Sequence, residues 1–215
     1  MHSRVVISMS LFLIVSGTLL IKTTENISWL GAFFLSFSTR TAGFSTYPLG
    51  NFSSAGLLVV IILMFIGASP GSTGGGIKTS TFFVLLQGIK SAATNKSEKA
   101  FHYAVPKNAF SKAAIITAIG AAIVLTGTYI MLVLQPELSF IDVFFEVTSA
   151  FSTSGLSTGI TQQLGMGAKL LSIIIMYAGR LGPLTIVTVW YFSKGERVSY
   201  PVSYTHLTLP TICSV

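Results

Sequence analysis

Apolar segments of two distinct lengths alternate along this chain, and the same short polar phrase follows each of the short ones. Val5 to Ile21 and Ala113 to Leu134 are close to the about 20 apolar residues that a helix needs to cross a bilayer. Ser28 to Phe37 and Phe140 to Phe151 are apolar but too short for that. After the first short segment comes Thr41-Ala42-Gly43-Phe44-Ser45-Thr46, and after the second comes Thr153-Ser154-Gly155-Leu156-Ser157-Thr158. Each phrase leads into another apolar stretch, Ala55 to Ile66 in the first case and Ala168 to Phe192 in the second. The order span, short helix, Gly phrase, span therefore occurs twice, at a separation too wide for a solenoid and suited to a duplicated membrane unit. Non-helical backbone at membrane depth survives only where it lines a cavity or is buried in protein, so the two phrases restrict the fold severely.

The solvent of this chain is chiefly lipid. Charged residues make up 9% of it, against about 25% in soluble domains. The net charge of +7 does not point to nucleic acid, because the basic residues sit in loops between apolar spans rather than among exposed aromatics. The single cysteine, Cys213, excludes an internal disulfide framework, and His2, His102 and His206 are scattered without metal-ligand spacing. No cofactor and no enzymatic chemistry are expected. A cleaved signal peptide is disfavoured for Val5 to Ile21, because the flank Lys22-Thr23-Thr24-Glu25 lacks a small-x-small site.

Orientation follows from the basic residues. Arg4, Lys90, Lys96, Lys99, Lys107, Lys112, Lys194 and Arg197 fall on one side, and Lys22, Arg40 and Lys169 on the other. The positive-inside rule assigns the richer side to the cytoplasm and a multi-pass chain to the cytoplasmic membrane. Both Gly phrases then lie toward the outer face, reached by short helices entering from outside. Ser28 and Ser139 are the expected N-caps of those helices, and Asp142 favours the dipole of the second. The C-terminal ends point toward the membrane centre, where their negative dipole ends favour a cation. The extended residues Thr39 to Gly43 and Ser152 to Gly155 are then placed to offer carbonyls in place of hydration water. Surface loops are the bland alternative, and the duplication argues against it.

The span that starts at Ala55 breaks at Gly67-Ala68-Ser69-Pro70-Gly71-Ser72-Thr73-Gly74-Gly75-Gly76 and resumes at Ile77. A phosphate-binding loop needs Lys directly after the second Gly; here Ile77 separates Gly76 from Lys78, and a membrane span precedes the loop in place of a strand. The reading favoured is a flexible constriction below the Gly phrases, with Lys78 opposing cations. Arg180 stands inside the last apolar stretch, where burying it costs roughly 2.5–3.5 kcal/mol on insertion scales. It either faces the pathway or holds helices together through freed carbonyls. Glu146 in the second short helix and Arg40 beside the first phrase are the other intramembrane charges; an outer vestibule suits the first, and a bracing carboxylate partner the second.

The strings STRTAGFST, GASPGSTGGGIKT, AFSTSGLSTG and AGRLGPLT, in this order, make the chain resemble the membrane subunits of the Ktr/Trk/HKT superfamily of potassium transporters, most nearly the bacterial Ktr type. The resemblance implies an all-α integral membrane fold with two M1–pore-helix–M2 repeats, half of a four-repeat, potassium-channel-like pore. Residues 1–90 match the third repeat, 91–112 a basic cytoplasmic loop and 113–201 the fourth repeat. By resemblance, Thr41, Ala42, Gly43 and Phe44 with Thr153, Ser154, Gly155 and Leu156 form selectivity-filter segments. Gly67, Ala68, Ser69, Gly71, Ser72, Thr73, Gly74, Gly75, Gly76 and Lys78 match an intramembrane gating loop, and Arg180 matches a pore-facing barrier. It also implies potassium as the transported ion, often with sodium linkage, a homodimer, and a cytosolic nucleotide-binding regulatory subunit.

The chain departs from that pattern in two respects. Repeats one and two are missing, which makes a fragment of a longer subunit the expectation. Val202 to Val215 does not match the family's ending and is expected to be non-native. A sodium-permeable transporter of the same fold is the alternative function, and a nucleotide-binding ATPase using the Gly-rich loop a remoter one.

Overall fold

The computed structural model describes residues 2–40, 42–72, 74–94, 99–100, 103–104 and 109–182. In chain order it holds α1 (His2–Thr24), α2 (Trp29–Ser38), α3 (Ser54–Phe65), α4 (Thr79–Thr94), β1 (Lys99–Ala100), β2 (Tyr103–Ala104), α5 (Ala109–Leu134), α6 (Phe140–Ser152) and α7 (Met166–Leu181). The strands form a two-residue antiparallel ladder, so the described residues are helical in every part that carries a core.

Two of these helices, over Ser3–Thr24 and Ala109–Leu134, are long and apolar enough to cross a membrane. At 1.5 Å per residue the 10 residues of α2 reach about 15 Å, half a hydrocarbon core. Hydroxyls within the long helices are satisfied locally. Thr18 Oγ1 donates to the Ile14 carbonyl at 2.7 Å and Thr126 Oγ1 to the Ala122 carbonyl at 2.7 Å, which removes most of the cost of a polar group in lipid. Leu11, Phe12, Val15 and Leu19 on α1, and Leu125, Tyr129 and Val133 on α5, remain exposed, forming apolar faces that suit acyl chains rather than water.

The short helices begin as their sequences lead one to expect, with one difference. Ser28 Oγ accepts from the Gly31 N–H at 3.0 Å and caps α2. Ser139 occupies the N-cap position of α6, yet its side chain makes no capping bond, leaving Asp142 in the first turn to complement the dipole. At the α3 start, Ser53 Oγ accepts from the Gly56 N–H at 3.1 Å, while the Glu25 carboxylate accepts from Ser53 N–H at 2.9 Å and from its hydroxyl at 2.6 Å. One carboxylate thus ties the end of α1 to the beginning of α3.

Two apolar clusters form the interior. The first gathers Leu35 of α2, Ile21 of α1, and Leu57, Val60 and Met64 of α3, together with Phe145 of α6. The second gathers Val143, Val147 and Phe151 of α6 with Val124 and Met131 of α5 and Ile175 of α7. Helix α6 enters both clusters and packs against α3, α5 and α7, so it is the centre of the fold. The last apolar stretch is helical through Leu181, with Gly182 after it; residues 183–192, like residues 202–215, lie outside the described residues.

Close helix approach has a specific cause at Gly17. A Cβ there would run into Ser36 Oγ of α2 and lie 2.8 Å from Leu63 Cδ1 of α3, while Ser36 Oγ donates to the Ile14 carbonyl at 3.0 Å. Gly17→Leu is therefore expected to force α1 off both neighbours at a cost of about 1–3 kcal/mol. Thermal unfolding in detergent should show a lower midpoint, while Leu19→Ala, on the exposed face, should leave the midpoint in place.

Candidate functional site

The two Gly phrases meet at the inner ends of α2 and α6. Gly43 has φ +73° and Gly155 φ +86°, left-handed backbone that disfavours any side chain. Space forbids a side chain at Gly43 as well. A Cβ there would collide with the Ser154 carbonyl oxygen and sit 3.4 Å from the Gly155 Cα. The segments therefore pack backbone against backbone. Gly43 is half-buried and Gly155 exposed, on the side that the described helices leave open.

Serines on the short helices hold each phrase from behind. Ser38 Oγ accepts from the Phe44 N–H at 2.8 Å and donates to the Phe44 carbonyl. Ser149 Oγ donates to the Leu156 carbonyl at 2.5 Å and pairs with Ser154 Oγ at 3.1 Å. Ser154 Oγ in turn reaches Met64 Sδ of α3 at 3.1 Å. The Phe44 and Leu156 carbonyls are thus engaged by serine hydroxyls. Among the described residues the carbonyls of Gly43 and Gly155 accept no hydrogen bond. Ala42 precedes Gly43 with its N–H bonded to the Ser38 carbonyl at 3.1 Å, and Ser152 is still part of α6 rather than extended. Thr41 lies outside the described residues.

The Gly-rich loop lies directly against the end of α6. The Gly75 N–H donates to Thr153 Oγ1 at 2.9 Å, and a Cβ on Gly75 would stand 2.8 Å from the Phe151 carbonyl oxygen. Thr153 itself has φ 53°, the one non-Gly residue in the left-handed region among those described. Gly179 of α7 approaches the same place, since a Cβ on it would collide with the Phe151 carbonyl. The loop closes on itself through Ile77 N–H to the Phe65 carbonyl at 3.1 Å and Thr79 N–H to the Ala68 carbonyl at 3.3 Å. Helices flank it on both sides, which leaves no strand-to-helix turn for a phosphate cradle. Thr73 lies outside the described residues, and Gly67, Ala68, Ser69, Gly71, Ser72, Gly74, Gly75 and Gly76 form the rest of the loop.

Three charges take definite positions. Lys78 Nζ donates to the Ser72 carbonyl at 3.3 Å and to the Gly74 carbonyl, so the ammonium is held inside the loop it follows. Arg180 occupies the exposed last turn of α7, where a cation complements the helix dipole. Arg40 takes a different partner from the carboxylate considered above: Nη1 donates to the Ser10 carbonyl of α1 at 3.4 Å. Sequence reasoning missed Ser38, Ser149 and Gly179. A hydroxyl ahead of each Gly phrase was the available signal for the serines; only the packing of α7 on α6 could have singled out Gly179.

The chain matches the family described as "TrkH: Cation transport protein" over residues 4–195. It is 35% identical over 213 residues to the Ktr system potassium uptake protein B of Vibrio alginolyticus, covering 93% of this chain and 47% of that one. It is 38% identical over 165 residues to the Ktr system potassium uptake protein D of Bacillus subtilis, covering 74% and 36%. The potassium/sodium uptake protein NtpJ of Enterococcus hirae is 32% identical over 202 residues, covering 87% and 45%. The chain spans about half the length or less of these relatives. Its fold matches the crystal structure of the potassium transporter TrkH from Vibrio parahaemolyticus with a TM-score of 0.66 at 21% identity, over 86% of this chain and 43% of that one. The chain belongs to the TrkH family of cation transport proteins and has the all-helical integral membrane fold of that family.

Proposed function

We propose that this chain supplies two adjacent ion-coordinating segments, matching the third and fourth repeats, of a four-segment pore that carries potassium into the cell across the cytoplasmic membrane. The observation that carries this reading is the backbone-to-backbone meeting of the Gly43 and Gly155 segments, each at the C-terminal end of a short helix. Aligned helix ends place partial negative charge there, and Gly carbonyls free of hydrogen bonds can replace part of a cation's hydration shell. Two segments enclose only half a ring, so the other two come from further residues of the same subunit. The assembly proposed is a homodimer with a cytosolic nucleotide-binding regulatory subunit, in which uptake is linked to sodium.

The Gly67–Gly76 loop serves as the gate in this reading. It touches the fourth segment through Gly75 and Thr153, so movement of the loop is felt at the filter. Lys78 and Arg180 place two positive charges near the loop, where they oppose a passing cation. A sodium-permeable pore is the second reading, favoured by the potassium/sodium naming of the Enterococcus hirae relative. Competition between the two ions in uptake assays separates the readings.

Cells lacking their own potassium uptake provide the main test, with the complete gene product expressed in them. Gly43→Asp and Gly155→Asp each add a side chain to left-handed backbone at the meeting point, and both should abolish growth at low potassium while membrane insertion persists. Growth equal to wild type would refute the filter assignment.

Arg180→Gln removes one of the two opposing charges. Lowering a barrier by roughly 1.4 kcal/mol raises a rate about tenfold, and a several-fold rise in rubidium uptake is the expected direction. Loss of folded protein with no change in flux per molecule would instead identify Arg180 as a structural tie.

A further inference from the structure

Glu146 is nine-tenths buried in α6, and its side-chain partners come from the end of the second Gly phrase and the residues just after it. Ser157 Oγ donates to Oε1, and Thr161 Oγ1 donates to the same oxygen at 3.1 Å. The cluster is closed on itself: Ser157 Oγ and Thr161 Oγ1 are 2.8 Å apart, and Ser157 Oγ accepts from the Gly159 N–H at 2.9 Å. A cavity of about 310 Å³ lies behind the segment, lined by Glu146, Ser149, Gly155 and Met176 among others, so the loop is not held there by close packing alone. A buried carboxylate is costly unless hydrogen-bonded, and the loop cannot shift without stranding it.

The first Gly phrase has no counterpart to this anchor. Helix α2 contains no acidic residue, and after Phe44 the chain is held by neutral groups: Ser45 Oγ donates to the Tyr47 carbonyl at 2.5 Å, the Tyr47 hydroxyl lies 3.3 Å from Ser28 Oγ, and Leu49 is buried in the first apolar cluster. After its Gly phrase the first segment is therefore held by neutral groups, and the second by neutral groups together with a buried carboxylate.

We propose that Glu146 is a positioning residue for ion discrimination, fixing the Gly155 and Leu156 carbonyls against Gly43 by gathering Ser157 and Thr161 behind them. This rests on the pore reading above. Charge-assisted hydrogen bonds are the stronger kind, so removing the charge or its two hydroxyl donors loosens the same loop.

The test compares Glu146→Gln, the double variant Ser157→Ala with Thr161→Val, and Glu146→Asp in the complete gene product. Each is assayed for potassium uptake against sodium competition and for folded yield by gel filtration in detergent. Glu146→Gln and the double variant should both lower potassium-over-sodium discrimination about tenfold, the size of one lost charge-assisted bond. Glu146→Asp should recover part of it, and the double variant should keep its folded yield, so it decides the matter even where Glu146→Gln fails to fold. If the double variant discriminates as wild type does, the proposal is overturned. That holds equally when Glu146→Gln only raises the potassium concentration for half-maximal uptake, since the carboxylate would then act as a charge on entering cations. Absence of potassium uptake by the wild-type protein would refute the pore reading itself, and is read before any variant.

Discussion

The C-terminal end of α6 is the point on which the rest of the structure depends. A helix that stops inside a membrane leaves carbonyls that water cannot reach, and each must be matched or left where an ion can use it. Here Gly75 and Gly179 approach the Phe151 carbonyl closely, and Thr153 turns the chain with a left-handed residue whose hydroxyl accepts from the Gly75 N–H. Two separate parts of the chain, the glycine loop and α7, converge on one helix end. Glycine is needed at Gly75 and Gly179 because a methyl group would separate them from that end.

That convergence explains the division of the interior. The apolar positions of α6 are buried on both sides, Phe145 toward α1, α2 and α3, and Phe151 toward α5 and α7. With apolar packing on both flanks, α6 has little freedom to tilt, and the loop against its end has a rigid support. The α2 end is lighter: it leans on α1 through Ser36 and Arg40, both donating to α1 carbonyls. The two phrases are held differently, and the buried Glu146 belongs to the second.

Much of the helical plan was legible in the residues. The apolar run from Val5 to Ile21 becomes the core of α1, Ser28 caps α2, and the break after Ile66 falls where α3 ends, because hydropathy and glycine act locally. Local reasoning failed where a side chain had a choice of partners. Arg40, for which a carboxylate partner was one option, found a carbonyl of α1, and Ser139 held the cap position without using its hydroxyl. Each of these depends on which element lies across the gap, a matter of distance in space rather than along the chain.

By itself, the amino-acid sequence determined that this chain lies in lipid, that two short helices end in glycine phrases, and that one span is broken. Those properties follow from hydropathy over windows of residues and from the backbone freedom of glycine, which need no partner. Only the tertiary structure decided that Gly43 faces Ser154 and Gly155, that the broken span closes against Thr153, and that Ser38, Ser149 and Glu146 do the holding. Such contacts join residues far apart in sequence, and they exist because carbonyls buried in lipid must find donors, cations or close neighbours wherever the packing supplies them.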